Sequence, residues 1–299
     1  DSYPEDLKMV TQSGRKLLFL IANSRKDKYY WAGVTSYHSM NDTYMTLEQE
    51  NKDLPTMTGQ CHIEAGDQTN DKVAMKRLSS EIVLRSVKCD FSGKPYEGEK
   101  IKNPKIYLIN VNGTYPVTGN GKGNPERIIN HGFADYGQIM GFEDPDIILK
   151  EMKYEIDNHV IYPEITFLCY PNTAEEDGPG TPFTRMVIEG ILEGRTHYWP
   201  VSINRPPHGK GGIEGNCRYT YDIIIRSRGT DNPDRPAEIG SVSAKMETAI
   251  WKEKEEYAIG FRKNSPETVK AFNDAIAALA ADGTLAAIAA KYDLVDQLG

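Results

Sequence analysis

The stretch RYTYDIIIR, residues 218–226, places Tyr219, Tyr221, Ile223 and Ile225 at every second position. Successive side chains of a β-strand point to opposite faces of a sheet, so this spacing predicts a strand with one apolar face. A strand of this kind needs neighbouring strands and a core to cover that face. The stretch therefore predicts a mainly β fold.

Strand patterns flank this stretch on both sides. Glu193-Gly194-Arg195 lies between two of them and is typical of a hairpin turn. In this part of the chain, the predicted strands are residues 160–170, 185–192, 197–203, 218–226, 241–251 and 256–261.

Earlier in the chain, three more stretches read as strands. KLLFLIA, residues 16–22, is almost continuously apolar, which is typical of a strand buried on both faces. The other two are residues 78–87 and 105–111. In the strand 78–87 the alternation places Ile82 and Leu84 on one face, and Val83, Arg85 and Val87 on the other.

The segment between these two groups of strands, residues 112–155, is rich in Gly, Asn and Pro. It contains at most one predicted helix, at residues 144–152. Many short strands, few helices and Gly/Pro turns favour two antiparallel β-sandwich domains. We therefore predict an N-terminal sandwich at residues 1–120, a crossing segment at 121–155 and a C-terminal sandwich at 156–262.

Composition changes near the C-terminus. Residues 1–265 contain 10 alanines, and residues 266–299 contain another 10. Alanine is the best helix former, and Ser265-Pro266 followed by Glu267 is a typical helix start. Asp282-Gly283 ends this helix and Thr284 can cap a second one. We predict a helical tail at residues 263–299, with helices at 266–281 and 284–292.

Charge and hydropathy exclude some classes of function. The chain has 299 residues, a net charge of −8 and a pI of about 5.4. This balance argues against a nucleic-acid partner, because nucleic-acid binding needs a basic surface. No run of 18 apolar residues is present, so we expect the chain not to be an integral membrane protein. Residue 1 is Asp, and we expect a mature, processed form.

The sequence lacks the motifs of catalysis and metal binding. The six histidines form no HxH, HxxxH or HExxH pattern, no GxSxG elbow is present, and the four cysteines form no CxxC pair. Cys89 and Cys169 lie in or beside apolar strands, so we expect buried free thiols there. The acidic stretches 143–146 and 175–178 are more typical of solvated turns than of calcium loops. We therefore expect no enzyme activity, no metal and no cofactor.

Several stretches taken together resemble the fimbrillins of Bacteroidales, the FimA/Mfa-type pilins, over residues 10–261. The resemblance rests on their order and spacing, since none is specific alone. The matching stretches are RKLLFLIAN at 15–23, MKRLSSEIV at 75–83, IYLINV at 106–111, NCRYTYDIII at 216–225, GTDNPD at 229–234, the segment with Trp251, and YAIGF at 257–261.

The resemblance implies two transthyretin-like β-sandwich domains and a structural or adhesive role in a surface fimbria. In that family the precursors are lipoproteins, which are matured by proteolysis, and the subunits are joined by strand exchange. It therefore implies an extracellular location in a fimbria attached to the outer membrane. The implied partners are other fimbrial subunits, with a host or bacterial surface ligand as a further candidate.

The start of the chain differs from the family, whose members have one or two strands before the LFLIAN strand. An inner strand at 16–22 with few residues before it would leave an open groove in the N-terminal domain. We predict that Leu18, Leu20, Ile82 and Leu84 line this strand-acceptor groove. Because the family's donor is a terminal strand and a helical tail occupies this C-terminus, we expect a monomer in solution.

The tail provides an alternative. Residues 256–294, with YAIGFRK at 257–263 and ADGTLAAIAAKY at 281–292, resemble the end of periplasmic amino-acid-binding proteins. The alternative function is therefore extracytoplasmic solute binding. Such proteins need strands alternating with helices, which the body of this chain does not predict. The fimbrial function is the favoured one.

Overall fold

The structure is a computed structural model. It describes residues 11–66, 73–121, 123–132, 141–238 and 240–251, together with Lys270, Asp274, Ala278, Leu279 and Thr284 in the tail.

Strands dominate the described residues. They are β1 (Gly14–Ala22), β2 (Tyr44–Thr46), β3 (Met57–Ala65), β4 (Lys76–Arg77), β5 (Ser80–Cys89), β6 (Lys102–Ile109), β7 (Val111–Asn112), β8 (Thr114–Pro116), β9 (Ile128–Ile129), β10 (Leu149–Glu151), β11 (Ile165–Cys169), β12 (Arg185–Leu192), β13 (Arg195–Ser202), β14 (Cys217–Ile225) and β15 (Val242–Ile250). Within residues 11–251 the described helices are α1 (Lys28–Ala32), α2 (Tyr37–Asn41) and the 3-10 turns Leu47–Gln49 and Pro145–Ile147.

Two four-stranded sheets enclose the core within residues 11–251. One has the order β10-β6-β12-β13 and the other the order β11-β5-β14-β15. Both contribute side chains to one buried cluster, which includes Ile106 and Trp199 from the first sheet and Ile82 and Tyr221 from the second. A three-stranded sheet, β1-β3-β4, and the ribbons β2-β8 and β7-β9 complete the arrangement. The mainly β sandwich fold that the sequence predicts is confirmed.

The predicted strand at residues 218–226 corresponds to β14, an inner strand of the second sheet. In β14, Tyr219, Tyr221, Ile223 and Ile225 are each at most 1% exposed. The hairpin between β12 and β13 is also confirmed, because Leu192 pairs with Arg195 across a two-residue turn. The predicted apolar face and turn were therefore correct in position and in type.

One predicted helix is wrong. Residues 144–152 form the 3-10 turn Pro145–Ile147, in which the Asp144 side chain accepts from the backbone of Asp146, followed by β10. β10 pairs antiparallel with β6, with Leu149 opposite Tyr107. Pairing with an edge of the first sheet satisfies backbone groups along β10 and outweighs the local helical tendency.

The predicted faces of β5 are correct only in its first half. Leu84 pairs with Tyr221, but the next pair along the parallel ladder is Ser86 with Asp222, so Arg85 is an extra residue. This β-bulge shifts the alternation by one position. Val87, predicted to share a face with Arg85, is consequently fully buried, whereas Arg85 is half-buried and binds Asp222.

The sheets cross the predicted domain boundary. β5 and β6, from the predicted N-terminal sandwich, pair with β11, β14 and β12 from the predicted C-terminal one. The pairing of β5 with β14 is parallel, so this sheet is mixed. By internal contacts the chain divides into Asp1–Trp251 and Lys252–Gly299.

The described tail positions Lys270, Asp274, Ala278, Leu279 and Thr284 are helical. Lys270 and Asp274 form an ion pair of 2.7 Å at helical i,i+4 spacing. The other residues of the two predicted tail helices, and the predicted strand 256–261, lie outside the described residues. Within residues 11–251, the described α-helices have five residues each and do not alternate with the strands as a solute-binding lobe requires.

Candidate strand-acceptor edge

The four side chains predicted to line a groove lie in different sheets. Leu18 and Leu20 belong to β1 and are half-buried, whereas Ile82 and Leu84 belong to β5 and are fully buried. β5 is an inner strand: Ile82 has Phe167 of β11 on one side and Tyr219 of β14 on the other. Both backbone edges of β5 are thus paired, whereas β1 has one edge without a partner strand in the described parts of the chain.

β1 is paired along one edge. It runs antiparallel to β3 over its whole length, from Gly14 opposite Ala65 to Ala22 opposite Met57. Among the described residues no strand pairs with its other edge. In an antiparallel strand alternate residues direct their N–H and C=O groups to each side, so half of the β1 backbone groups point toward the edge that no described strand covers.

The side chains of β1 are apolar on both faces. On one face Leu18 and Leu20 lie opposite Cys61 and Gly59 of β3, and all four residues are half-buried. On the other face Leu17 is 39% exposed, while Phe19 and Ile21 pack in part against the core. The resulting edge strand is apolar over residues 17–22 and more exposed than the inner strands of the two large sheets.

A shallow groove continues from the Phe19 face. It has a volume of about 550 Å³ and runs from Phe19 along the Thr58–Gly59–Gln60 stretch of β3 toward Arg77 and residues 214–216. Gly59 is required there, because a Cβ would overlap the carbonyl oxygen of Ala74 and approach the Val73 side chain to 2.9 Å. Phe19, not Leu18 or Leu20, is the β1 side chain that lines this groove. Its position on the odd face of KLLFLIA was the signal that could have identified it.

The outer strand of the second sheet, β15, is a second edge strand, and it carries charged side chains. Among the described residues, β15 pairs with no strand other than β14, and Ile250 near its end is 67% exposed. However, Lys245 and Glu247 interrupt this strand and form a 3.0 Å ion pair, and Glu247 also binds Arg85 at 2.9 Å. Charged side chains on edge strands discourage the addition of another strand. In β1 the charged side chains Arg15 and Lys16 lie at the start of the strand, and residues 17–22 contain none, so this stretch is less protected by charge than the middle of β15.

Metal-ligand clusters and reactive thiols were sought among the described residues. They contain no group of three or more His, Cys, Asp or Glu side chains placed to hold a metal ion. All four cysteines are free, and burial raises the pKa of the Cys89 thiol to about 12 and that of Cys169 as well. In the described parts of the chain, no helix combines the length and apolar character needed to cross a bilayer.

Comparisons with known proteins found similarity in structure. No protein-family model matches the chain, and no curated protein sequence matches it. A fimbrilin (fimA) from Porphyromonas gingivalis W83 superposes with a TM-score of 0.57 and 14% identity, over 80% of this chain and 81% of that one.

Two further solved structures agree with this result. A candidate cell adhesion protein from Bacteroides eggerthii gives a TM-score of 0.56 with 16% identity, over 79% of this chain and 77% of that one. Another, from Parabacteroides distasonis, gives 0.55 with 14% identity, over 80% and 84%. The resemblance read from the sequence is confirmed at the level of structure, and this chain has the fold of these Bacteroidales fimbrillin and cell adhesion proteins.

Proposed function

We propose that this chain is a structural subunit or adhesin of a bacterial surface fimbria, and that subunits assemble by strand exchange at β1. The observation that carries the proposal is the uncharged, apolar stretch 17–22 of β1, with no described strand on its outer side. The shared fold with a fimbrilin supports it. A non-enzymatic role, with other fimbrial subunits as partners, follows from the same proposal.

A donated strand would stabilise both partners. Its backbone would pair with the outward N–H and C=O groups of β1, each bond contributing about 0.5–1.5 kcal/mol net. Its alternate side chains would cover Leu17 and Phe19 on one face and Leu18 and Leu20 on the other. Strand addition therefore satisfies the backbone and buries apolar area in one step. An extracellular location, with the fimbria attached to the outer membrane, is part of this proposal.

The edge can be tested with peptides. Two synthetic peptides, residues 2–12 and residues 254–263, are offered to the full chain as donor strands, with scrambled versions as controls. We expect at least one of them to raise the melting temperature, because a ligand that binds only the folded state stabilises it. The Leu17→Lys variant should lose this shift, since a charge on the edge opposes strand addition.

The matched control is Leu54→Lys, because Leu54 is 55% exposed in a loop outside β1. It should keep the peptide-induced shift. A shift of the same size in the Leu17→Lys variant, or with the scrambled peptides, would contradict pairing at β1.

A further inference from the structure

Exposed tyrosine and lysine side chains cluster at the helix α1. Tyr29 is 76% exposed and Tyr30 is 42% exposed, and none of the five residues of α1 is buried. Lys28 is exposed beside them, and Lys26 lies two residues before the helix. These four residues, Lys26, Lys28, Tyr29 and Tyr30, are called the α1 patch below. Strand exchange at β1 assigns no role to it.

The α1 patch consists of two pairs, each made of an ammonium group and a ring. Lys26 Nζ lies 4.1 Å from the centre of the Tyr30 ring, and Lys28 Nζ lies 5.1 Å from the centre of the Tyr29 ring. Both distances are within the roughly 6 Å over which an aromatic face attracts a cation. Each pair therefore offers a positive charge and a flat apolar surface at one place, and the two rings belong to consecutive residues.

The backbone beneath the α1 patch is held by local contacts. The Asp27 side chain accepts from the backbone N–H of Tyr30 at 2.8 Å and caps the helix. The Trp31 ring meets the Tyr30 ring edge to face at 5.4 Å and packs in part against the core. A ligand thus meets side chains on a helix that is already formed, which lowers the entropic cost of binding.

The lysines of the α1 patch oppose the charge of the chain as a whole. Residues 25–28, RKDK, carry three positive side chains and one negative one, in a chain with a net charge of −8. Arg25 forms an ion pair of 3.4 Å with Glu143, so Lys26 and Lys28 supply the positive charge for a ligand. The Debye length is about 8 Å at physiological ionic strength, and carboxylates further away than this are largely screened. Charge complementarity therefore favours an anionic ligand.

The two rings narrow the class of anion. The negative face of an aromatic ring attracts the positively polarised C–H groups of a ligand, which a phosphate or sulfate ion lacks. A sugar acid has both parts, a carboxylate for the ammonium group and a face of C–H bonds for the ring. Two pairs on consecutive residues favour a polymer over a single sugar, because a chain of sugar acids can engage both pairs at once. A five-residue helix has too short an apolar face for insertion into a bilayer.

We propose that the α1 patch binds a polysaccharide whose sugar units carry carboxylate groups. Lys26 and Lys28 bind the carboxylates, and Tyr29 and Tyr30 contact the C–H faces of the sugar rings. Binding at this patch deepens the adhesin part of the proposed function, on which its biological role rests. It is independent of strand exchange at β1, so the two can fail separately.

The test is binding of soluble polymers to the full chain, measured by calorimetry and affinity electrophoresis. Polygalacturonate, alginate and hyaluronan are the probes, since all three contain sugar acids. Dextran offers sugar faces without charge, polyglutamate offers carboxylates without sugar, and phosphatidylserine vesicles offer an anionic membrane. We expect saturable binding of at least one sugar-acid polymer, and weaker binding as salt is raised, because salt screens the attraction between ammonium and carboxylate groups.

The double variant Lys28→Gln/Tyr29→Ala removes one pair. It should lower the affinity about tenfold, because an ionic contact and a ring contact are lost together. Since no residue of α1 is buried, the change leaves no cavity in the core. The matched control is Lys153→Gln/Tyr154→Ala, which changes the same two residue types, in the same order, at exposed positions outside the α1 patch. The control should bind as the wild type does.

If the double variant unfolds, Lys26→Gln takes its place and should also weaken binding. The proposal is overturned by a lack of saturable binding of every sugar-acid polymer, or by equal affinity of the α1 variants and the wild type. Equal affinity for polyglutamate would assign the attraction to charge alone, and binding of vesicles only would assign it to a membrane. The peptide-induced stabilisation at β1 is measured separately, and none of these outcomes changes it.

Discussion

Glu50 is a carboxyl group that is almost fully removed from solvent, with 1% of its surface exposed. Its Oε2 accepts from the backbone N–H of Thr56 at 2.9 Å, and its Oε1 accepts from the Tyr170 hydroxyl at 2.8 Å. These bonds tie the segment before β3 to the end of β11 in the core. Burial raises the pKa of Glu50, and the bonds from Thr56 and Tyr170 only partly oppose this effect.

The raised pKa of Glu50 predicts a pH dependence of stability. A carboxyl whose pKa is higher in the folded state favours folding below its unfolded pKa of about 4.3, and this contribution is lost as pH rises through the folded pKa. Glu50→Gln keeps an acceptor for Thr56 and lets the Tyr170 hydroxyl accept instead of donate. The melting temperature of Glu50→Gln relative to the wild type should therefore be higher at pH 8 than at pH 4.

The control for this measurement is Glu99→Gln, which removes an exposed carboxylate and should leave the difference between pH 4 and pH 8 nearly unchanged. An equal difference between Glu50→Gln and wild type at both pH values would mean that the Glu50 carboxyl is not perturbed by burial.

For Glu247 we expect a pH dependence of stability with the opposite sign. Hydrogen bonds from Arg85 and then from Lys245 lower the pKa of Glu247 to about 2. A lowered pKa contributes stability above the unfolded value of about 4.3 that is lost as pH falls through about 2. Glu247→Gln should therefore show a shallower fall in melting temperature between pH 5 and pH 2 than wild type. An unchanged acid profile would argue that solvent screens this half-exposed ion pair completely.

Among the elements, those with a strong local signal were predicted well. β12 begins and ends where the sequence placed it, and β14 differs by one residue at each end. The turn between β12 and β13 has Glu193 at φ +50° and Gly194 at φ +76°, the two positive values of a type I′ hairpin turn. Alternation and turn chemistry are local properties, so a single sequence reveals them.

The Glu193-Gly194 turn gives a prediction at this scale. Gly194→Ala should destabilise the protein by about 1–2 kcal/mol, since a Cβ disfavours the left-handed backbone conformation. Chemical denaturation of the variant measures this cost. Gly178→Ala is the matched control, because Gly178 lies in a turn without a positive φ and has open space around its Cβ position. Equal stability of the two variants would contradict the assigned turn.

The elements that were missed depend on distant partners. β3 alternates Gln60, His62 and Glu64 with Cys61 and Ile63, a pattern that was present in the sequence, but its strand character is fixed by pairing with β1. The bulge at Arg85 arises from the ladder between β5 and β14, which are more than 120 residues apart. The pairing of sheets across residues 112–155 is likewise a long-range property.

The helices α1 and α2 are too short for a periodic apolar signal. Their caps are visible in the sequence: the Asp27 side chain accepts from the backbone of Tyr30, and Ser36 and Ser39 cap each other. Only this capping chemistry could have predicted them.

For the whole molecule, the division of the chain predicts the effect of truncation. Asp1–Trp251 is one compact unit, and the core cluster lies within it. Deletion of residues 263–299 should therefore leave a single cooperative unfolding transition, measured by circular dichroism and calorimetry. A truncated chain without a cooperative transition would show that the tail belongs to the core.

The central claim is that the outer edge of β1 is open and accepts a strand from another molecule. Amide hydrogen exchange measured by NMR tests it most directly, since it reads each backbone N–H of residues 15–21 separately. We predict fast exchange at the alternate amides that face away from β3, and strong protection of these amides when a donor peptide is added. Slow exchange of every β1 amide in the free protein, or no added protection with any donor, would contradict the claim.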